Sequence, residues 1–269
     1  MTTAPPGYNF AKAYGIDSVA GAVIFAILYV PFLLFFIKQA ISRPTYVYIV
    51  ISLFCAIRIG AFVLRALLAG VASEGQHLNV FVAFEVIYNS GFFGLLYSAY
   101  TLVLDRGRLS DLPLPDGPIS RITRRPTLFR IALVAAVAVG ITGAIQSATG
   151  STESTVNTGN TLRKVAIYIF LVLCILVAFQ TILLVRTIAS YGAYKPSNTS
   201  IGATYGIPIL CVISLLLLVR EAFFTATSNN FAKQNDENWW YPFAALTEFV
   251  AVVLFATPGL VPSRDELPS

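Results

Sequence analysis

The chain predicts an all-α integral membrane protein, a bundle of seven transmembrane helices. Three observations carry that expectation. Hydrophobic residues fill 57% of its 269 positions and charged residues only 12%, against about 25% charged in soluble domains. Seven apolar segments of about 20 residues, each long enough to cross a hydrocarbon core of about 30 Å, follow one another with short connections. The basic residues outside those segments are shared unevenly between the two sides. No stretch separates as a second unit, so residues 1–269 read as a single membrane domain.

The first 17 residues, MTTAPPGYNFAKAYGID, lack a basic region followed by an apolar core and a cleavage signal. No removable signal peptide is expected, and the first span acts as an uncleaved anchor. That span covers 18–37, with Pro31 as the expected kink. The second covers 46–68 and carries Arg58 and Arg65. The third covers 80–104 and carries Glu85, Asn89 and several tyrosines. The fourth, 128–148, presents Ala136, Gly140 and Gly143 as a small-residue face suited to close helix packing. The fifth, sixth and seventh cover 165–185, 205–225 and 240–260. Between the fourth and fifth, GSTESTVNTGNT reads as a polar, mobile loop.

Orientation follows from the basic residues. One side holds Lys38, Arg43, Arg106, Arg108, Arg121, Arg124, Arg125, Arg130, Arg186, Lys195 and Arg264; the other holds Lys12, Arg163, Lys164 and Lys233. The positive-inside rule puts the N-terminus outside or lumenal and the C-terminus in the cytosol. Asn198, in an Asn-Thr-Ser sequon, then faces the cytosol and stays unglycosylated. A glycan on Asn198 in peptide mass spectrometry overturns the topology. The arginine-rich third loop, 105–127, lies along the membrane surface, where it serves as a topology determinant or attracts anionic lipid.

Several function classes are disfavoured. Cys55, Cys174 and Cys211 lie in apolar runs and His77 is the single histidine. A zinc or haem site from Cys and His is not expected. Aspartate-rich diphosphate motifs, a GxxxxGK phosphate loop, HExxH and GxSxG are all missing. The seventh span has no lysine placed for a retinal Schiff base. The net charge of +5 sits in loops and reads as topology rather than a nucleic-acid footprint. No metal, cofactor or nucleic-acid partner is expected; the partners are the lipid bilayer and a hydrophobic small molecule.

Arg130 stands at the edge of the fourth span; six further charges fall within spans: Arg58, Arg65, Glu85, Arg220, Glu221 and Glu248. Each is costly there, about 2.5–3.5 kcal/mol on insertion scales. The topology sets them at similar depth, toward the non-cytosolic half. Arg58 and Arg65 are seven apart and share a face, as do Tyr241 and Glu248. Glu85, Tyr88, Asn89 and Phe92 form an i, i+3, i+4, i+7 stripe. Arg220 and Glu221 point about 100° apart and are expected to pair with other helices. Together these predict a cavity between spans two, three, six and seven, with Trp239, Trp240 and Tyr241 at its rim. Such an Arg–Glu network either fixes helix packing or includes a working carboxylate.

The chemistry open to that site is acid catalysis in an aromatic pocket. A buried carboxylic acid can hold its proton near neutral pH and pass it to an olefin or an epoxide. The resulting cation is stabilised by aromatic faces and needs no metal. An arginine neighbour instead holds a glutamate ionised, so the carboxylate least paired with arginine is the better acid. On that ground Glu248 and Glu85 rank above Glu221. Arg58, Arg65, Tyr88, Asn89, Phe92, Arg220 and Tyr241 are the candidate substrate-binding residues.

The stretches VREAFF (219–224) and YPFAALTEF (241–249), within seven short-looped helices, resemble the integral-membrane terpene cyclases of fungal meroterpenoid pathways, of the ascochlorin/ascofuranone-cyclase type. At motif level the likeness rests on Arg220, Glu221, Tyr241, Pro242 and Glu248. It implies acid-initiated, metal-independent cyclisation of a prenylated phenol or its terminal epoxide, on an endoplasmic-reticulum or other endomembrane. The indole-diterpene type of membrane cyclase is similar only in size and helix number. The chain also resembles the RTA-like lipid-translocating exporters, which implies lipid handling or stress resistance without catalysis. A seven-helix receptor fits the topology, with Asp105-Arg106-Gly107 only a weak echo of the receptor motif at the end of the third span.

Overall fold

The computed structural model describes residues 8–109, 125–191, 200–263 and 266. Asn198 and most of the third loop lie outside the described residues, and with them the sequon and the basic-loop expectations. All regular structure among the described residues is helical. Seven helices are long and apolar enough to cross a membrane. They are named here α1 (Val19–Ser42), α2 (Tyr46–Gly70), α3 (Leu78–Leu109), α4 (Pro126–Thr149), α5 (Glu153–Tyr191), α6 (Gly206–Thr227) and α7 (Glu237–Phe255). Four short helices, Phe10–Ala13, Ala72–Gly75, Ile201–Thr204 and Phe231–Asn235, trim the ends of the bundle.

Local chemistry accounts for most boundaries. Ser18 caps α1 by accepting from the Gly21 N–H at 3.2 Å. Pro126 opens α4 at a first-turn position, where its missing N–H costs nothing. Pro31 lies within α1, which runs through it without interruption. Asp236 caps α7 through the Asn238 N–H at 3.0 Å.

Consecutive helices pack side by side, and α7 returns to contact α1. α3 is the central helix, touching α2, α4, α5 and α6. Its buried face is correspondingly long, from Phe81 to Gly107. At one end of the bundle the Arg106 guanidinium, buried on α3, donates to the carbonyls of Gly202, Gly259 and Leu260. It thereby ties the segment after α7 to the helix before α6. The opposite end gathers residues 8–18, 71–77, 150–152 and 228–236; it is called here the N-terminal face.

The tract expected to be a loop between the fourth and fifth spans is helical from Glu153 onward. Twelve residues, about 18 Å of rise, are added before the expected start at 165. The physical cause is local. Thr152 Oγ1 accepts from the Thr155 N–H at 3.2 Å, and Glu153 sits in the first turn, where a negative charge complements the helix dipole. The hydroxyls of Thr158 and Thr161 donate to carbonyls one turn back, so polar side chains are satisfied along the helix itself.

Tight contact with α4 then secures the extension. A Cβ at Gly143 would lie 2.6 Å from the backbone nitrogen of Arg163, and one at Gly159 would collide with the backbone of Ser147. The small-residue face expected on α4 is therefore spent inside the molecule, against α5. α7 departs from a regular helix at Tyr241–Ala245, which forms a π-helical turn containing Pro242.

Candidate functional site

Two of the three intramembrane carboxylates are locked in one ionic cluster. Arg58 Nη2 donates to Glu248 Oε1 at 2.7 Å, and both side chains are fully buried. Arg220 Nε donates to the same oxygen at 3.1 Å. The Tyr88 hydroxyl donates to Oε2 at 3.1 Å. Arg58 also donates through Nη1 to the Tyr88 carbonyl at 2.6 Å. Gly91, one turn further along α3, leaves room for that guanidinium: a Cβ there would come within 3.1 Å of Arg58 Nη1.

Arg220 binds its neighbour Glu221 as well. Aromatic faces close the cluster, with Arg58 4.0 Å from the Tyr88 ring centre and Arg220 4.0 Å from Phe92 and 4.2 Å from Phe224. The cluster joins α2, α3, α6 and α7 and balances two positive against two negative charges.

Several expectations change here. Glu248 is the most arginine-bound of the three carboxylates, so the ground for ranking it above Glu221 as an acid is lost. Arg220 pairs with Glu248 of another helix, as expected, but it also pairs with Glu221 beside it, because a long guanidinium can fold back along the helix. Tyr241 and Glu248 do not share a face. The π-helical turn between them changes the register, so that Tyr241 stacks on Phe25 of α1 while Glu248 points inward. The aromatic rim is divided: Trp239 is 49% exposed, whereas Trp240 is buried on Arg65 at 3.9 Å. Arg65 also donates to the Asn235 carbonyl at 3.2 Å and lies 3.7 Å from Glu237. Glu237 in turn accepts from the Asp17 and Ser18 N–H groups, joining α1, α2 and α7.

The space lies elsewhere. Arg58 of α2 and Glu248 of α7 meet in their ion pair, and two chambers are bounded chiefly by α3, α4, α5 and α6. An inner chamber of about 50 Å³ has Glu85, Asn89, Arg163, Arg220, Glu221 and Gln234 on its polar wall. Its apolar wall includes Ala136, Gly140 and Ala144 of α4. An outer chamber of about 280 Å³ opens at the N-terminal face and shares Glu85, Ala144 and Arg163 with the inner one.

Glu85 is thus the residue of α3 common to both chambers. Its Oε2 accepts from Asn89 Nδ2 at 3.2 Å, and among the described residues it makes no ion pair. The stripe Glu85, Tyr88, Asn89, Phe92 splits in two: Glu85 and Asn89 face the chambers, Tyr88 and Phe92 face the ionic cluster.

Three aromatic rings wall the outer chamber. Tyr14 lies 5.0 Å from Phe81 and 5.1 Å from Phe231, centre to centre. Tyr14 precedes the spans; burial pushes its phenol up, with Tyr8 adding to the effect. It therefore remains a neutral aromatic face throughout the physiological range. Arg163 is held away from Glu85 by other partners: its Nη2 donates to Gln234 Oε1 at 3.0 Å, and its guanidinium stacks 3.8 Å from the Phe231 ring centre.

Compared with known protein families, curated proteins and solved structures, the chain matches none.

Sequence reasoning did not single out Arg163, Gln234, Asn235, Glu237, Tyr14 or Phe81. Arg163 was hidden by the polar tract before it, which reads as loop and so as solvent. Gln234 and Asn235 sit in a connection only nine residues long, 228–236. Their burial comes from tertiary docking of that turn and leaves no periodic trace.

Proposed function

We propose that this chain is a membrane-embedded, metal-independent terpene cyclase in which Glu85 is the acid. The observation that supports it best is the placement of Glu85. It lies at the floor of an outer chamber walled by Tyr14, Phe81 and Phe231, free of an ion pair, while Glu248 is neutralised by two arginines. The two chambers together approach the low end of pockets that hold drug-sized ligands, about 300–1,000 Å³. The resemblance to ascochlorin/ascofuranone-type cyclases carried by the VREAFF and YPFAALTEF stretches points the same way.

The substrate is a prenylated phenol or its terminal epoxide, entering with its distal prenyl end toward Glu85. The Glu85 O–H proton passes to the olefin carbon or the epoxide oxygen. A carbocation develops, or the C–O bond opens. An internal double bond supplies the electron pair for the new ring bond. A C–H proton is finally lost to the Glu85 carboxylate, so the product is an isomer of the substrate. The aromatic faces attract the positive charge as it moves. The positive-inside rule sets the N-terminal face on the outer or lumenal side of an endomembrane, and both chambers with it.

The test is heterologous expression with a panel of prenylated phenols and their epoxides, followed by mass spectrometry and NMR. The expected result is a cyclised product of unchanged mass. Recovery of every compound unaltered overturns the cyclase reading.

One observation favours a second reading. Arg163 and Glu85 stand together at a chamber that opens at one end of the bundle, a setting that also suits a zwitterionic lipid head group. In an RTA-like lipid translocator the same residues bind without chemistry, and the substrate emerges unchanged on the other side. The receptor reading depends on coupling through the third loop, most of which lies outside the described residues; Arg106 of its weak motif is buried and donates to the Gly202, Gly259 and Leu260 carbonyls.

A further inference from the structure

The inner chamber holds two donors that the acid chemistry does not use. Arg220 Nη2 and Gln234 Nε2 are buried on its wall and have no hydrogen-bond partner among the described residues. Each residue is 2% exposed. They come from separate elements, α6 and the Phe231–Asn235 turn, so no single local distortion accounts for both. Unmet donors are costly in a membrane interior, where no lipid group can serve them. Both line the same space as the carboxylates Glu85 and Glu221.

The volume restricts what can serve these donors. About 50 Å³ is too small for a prenyl chain, and at about 10–15 Å³ per water it admits roughly three to five molecules. Charge restricts it further. Arg58 and Arg220 are matched by Glu221 and Glu248, so the ionic cluster beside the chamber carries no net charge for an ion to balance. Water satisfies both donors and also donates to the carboxylates.

We propose that the inner chamber is a hydrated proton relay joining Glu85 to Glu221, its waters accepting from Arg220 Nη2 and Gln234 Nε2. The relay rests on the cyclase reading for its purpose, which is to set the proton on Glu85 before a turnover begins; the hydration does not depend on that reading. A proton leaving the Glu85 carboxyl joins the first water. That water releases one of its own protons to the next, and the last passes one to the Glu221 carboxylate. One O–H bond breaks for each that forms, and no water is consumed.

The groups that face the two ends are set by the neighbouring helices. Glu85 is faced by Asn89 of its own helix, by Arg163 of α5, by Arg65 of α2 and by Asn235. Glu221 is faced by Arg220 beside it, by Glu248 of α7 and by Cys174 of α5. The relay therefore ends at the ionic cluster rather than crossing the membrane.

The test uses the full chain in lipid nanodiscs, without substrate. Radiolytic footprinting in ¹⁸O-water reads bound water next to Phe170 and Phe224, which line the inner chamber. Phe54 and Phe62, buried elsewhere in the bundle, serve as dry references. Several-fold faster labelling of Phe170 and Phe224 is expected, suppressed by the plugging variant Ala136→Leu or, if that does not fold, by Gly140→Val. Labelling no faster than the references overturns the relay.

Infrared spectra then read the coupling. The carboxyl band that Glu85→Gln removes should shift in Glu221→Gln, or in Glu221→Asp if the first variant does not fold. A missing band, or one indifferent to both variants, also overturns it. A labelled, coupled chamber in a protein that cyclises nothing sinks the cyclase reading alone. A dry chamber in an active enzyme sinks the relay alone.

Discussion

Glu248 receives hydrogen bonds at both carboxylate oxygens, from Arg58, Arg220 and Tyr88, with no exposed surface. Removing its charge leaves two buried guanidinium groups with only Glu221 to balance them. Breaking such a cluster on one side costs about 3–5 kcal/mol. Glu248→Gln should therefore lower the thermal unfolding temperature in detergent sharply and broaden the size-exclusion profile. Glu85→Gln removes no ion-pair partner, retains an amide oxygen for Asn89 and should unfold close to the wild-type temperature. Equal unfolding temperatures for the two variants contradict this division. The spacing of charges along the chain was enough to find the residues of the cluster, because a charge in an apolar run is visible by itself. It was not enough to rank them, because rank depends on which guanidinium each carboxylate meets across helices.

At the scale of elements, the pairing of α4 with α5 shows how a legible signal and an illegible one combine. The small residues Ala136, Gly140 and Gly143 were readable as a packing face. Their partner was not, since the first turns of α5 are built from Glu, Ser, Thr and Asn and resemble a loop in composition. Helical hydrogen bonding of the threonine hydroxyls and the contact through Gly159 make them helix. The glycines on this seam differ in tolerance. A Cβ at Gly140 meets only the Ala166 Cβ at 3.3 Å, whereas one at Gly143 meets backbone. Gly140→Ala should be nearly neutral, and Gly143→Ala should cost about 1–3 kcal/mol or more through overpacking. Thermal unfolding of the two variants checks the order, and the reverse order contradicts the packing described. The π-helical turn in α7 is the other feature without a readable trace beyond Pro242, and it moved Glu248 away from the face shared with Tyr241.

At the scale of the molecule, seven crossings follow from composition and segment length. The position of the cavity does not. A cavity between spans two, three, six and seven was the natural expectation from where the charges lie. In the folded bundle Arg58, Arg220, Glu221 and Glu248 pair with one another, and two chambers lie where small residues of α4 face Glu85 and Arg163. On the cyclase proposal, chemistry occurs at this second location, at Glu85, while the ionic cluster holds the bundle together. That proposal is tested most directly by assaying Glu85→Gln, at matched levels of folded protein, against the substrate that the wild-type chain cyclises. The expected result is loss of cyclised product by at least about 100-fold, the lower end of the contribution of a positioned general acid, with the unfolding temperature unchanged. Full turnover by Glu85→Gln would contradict it.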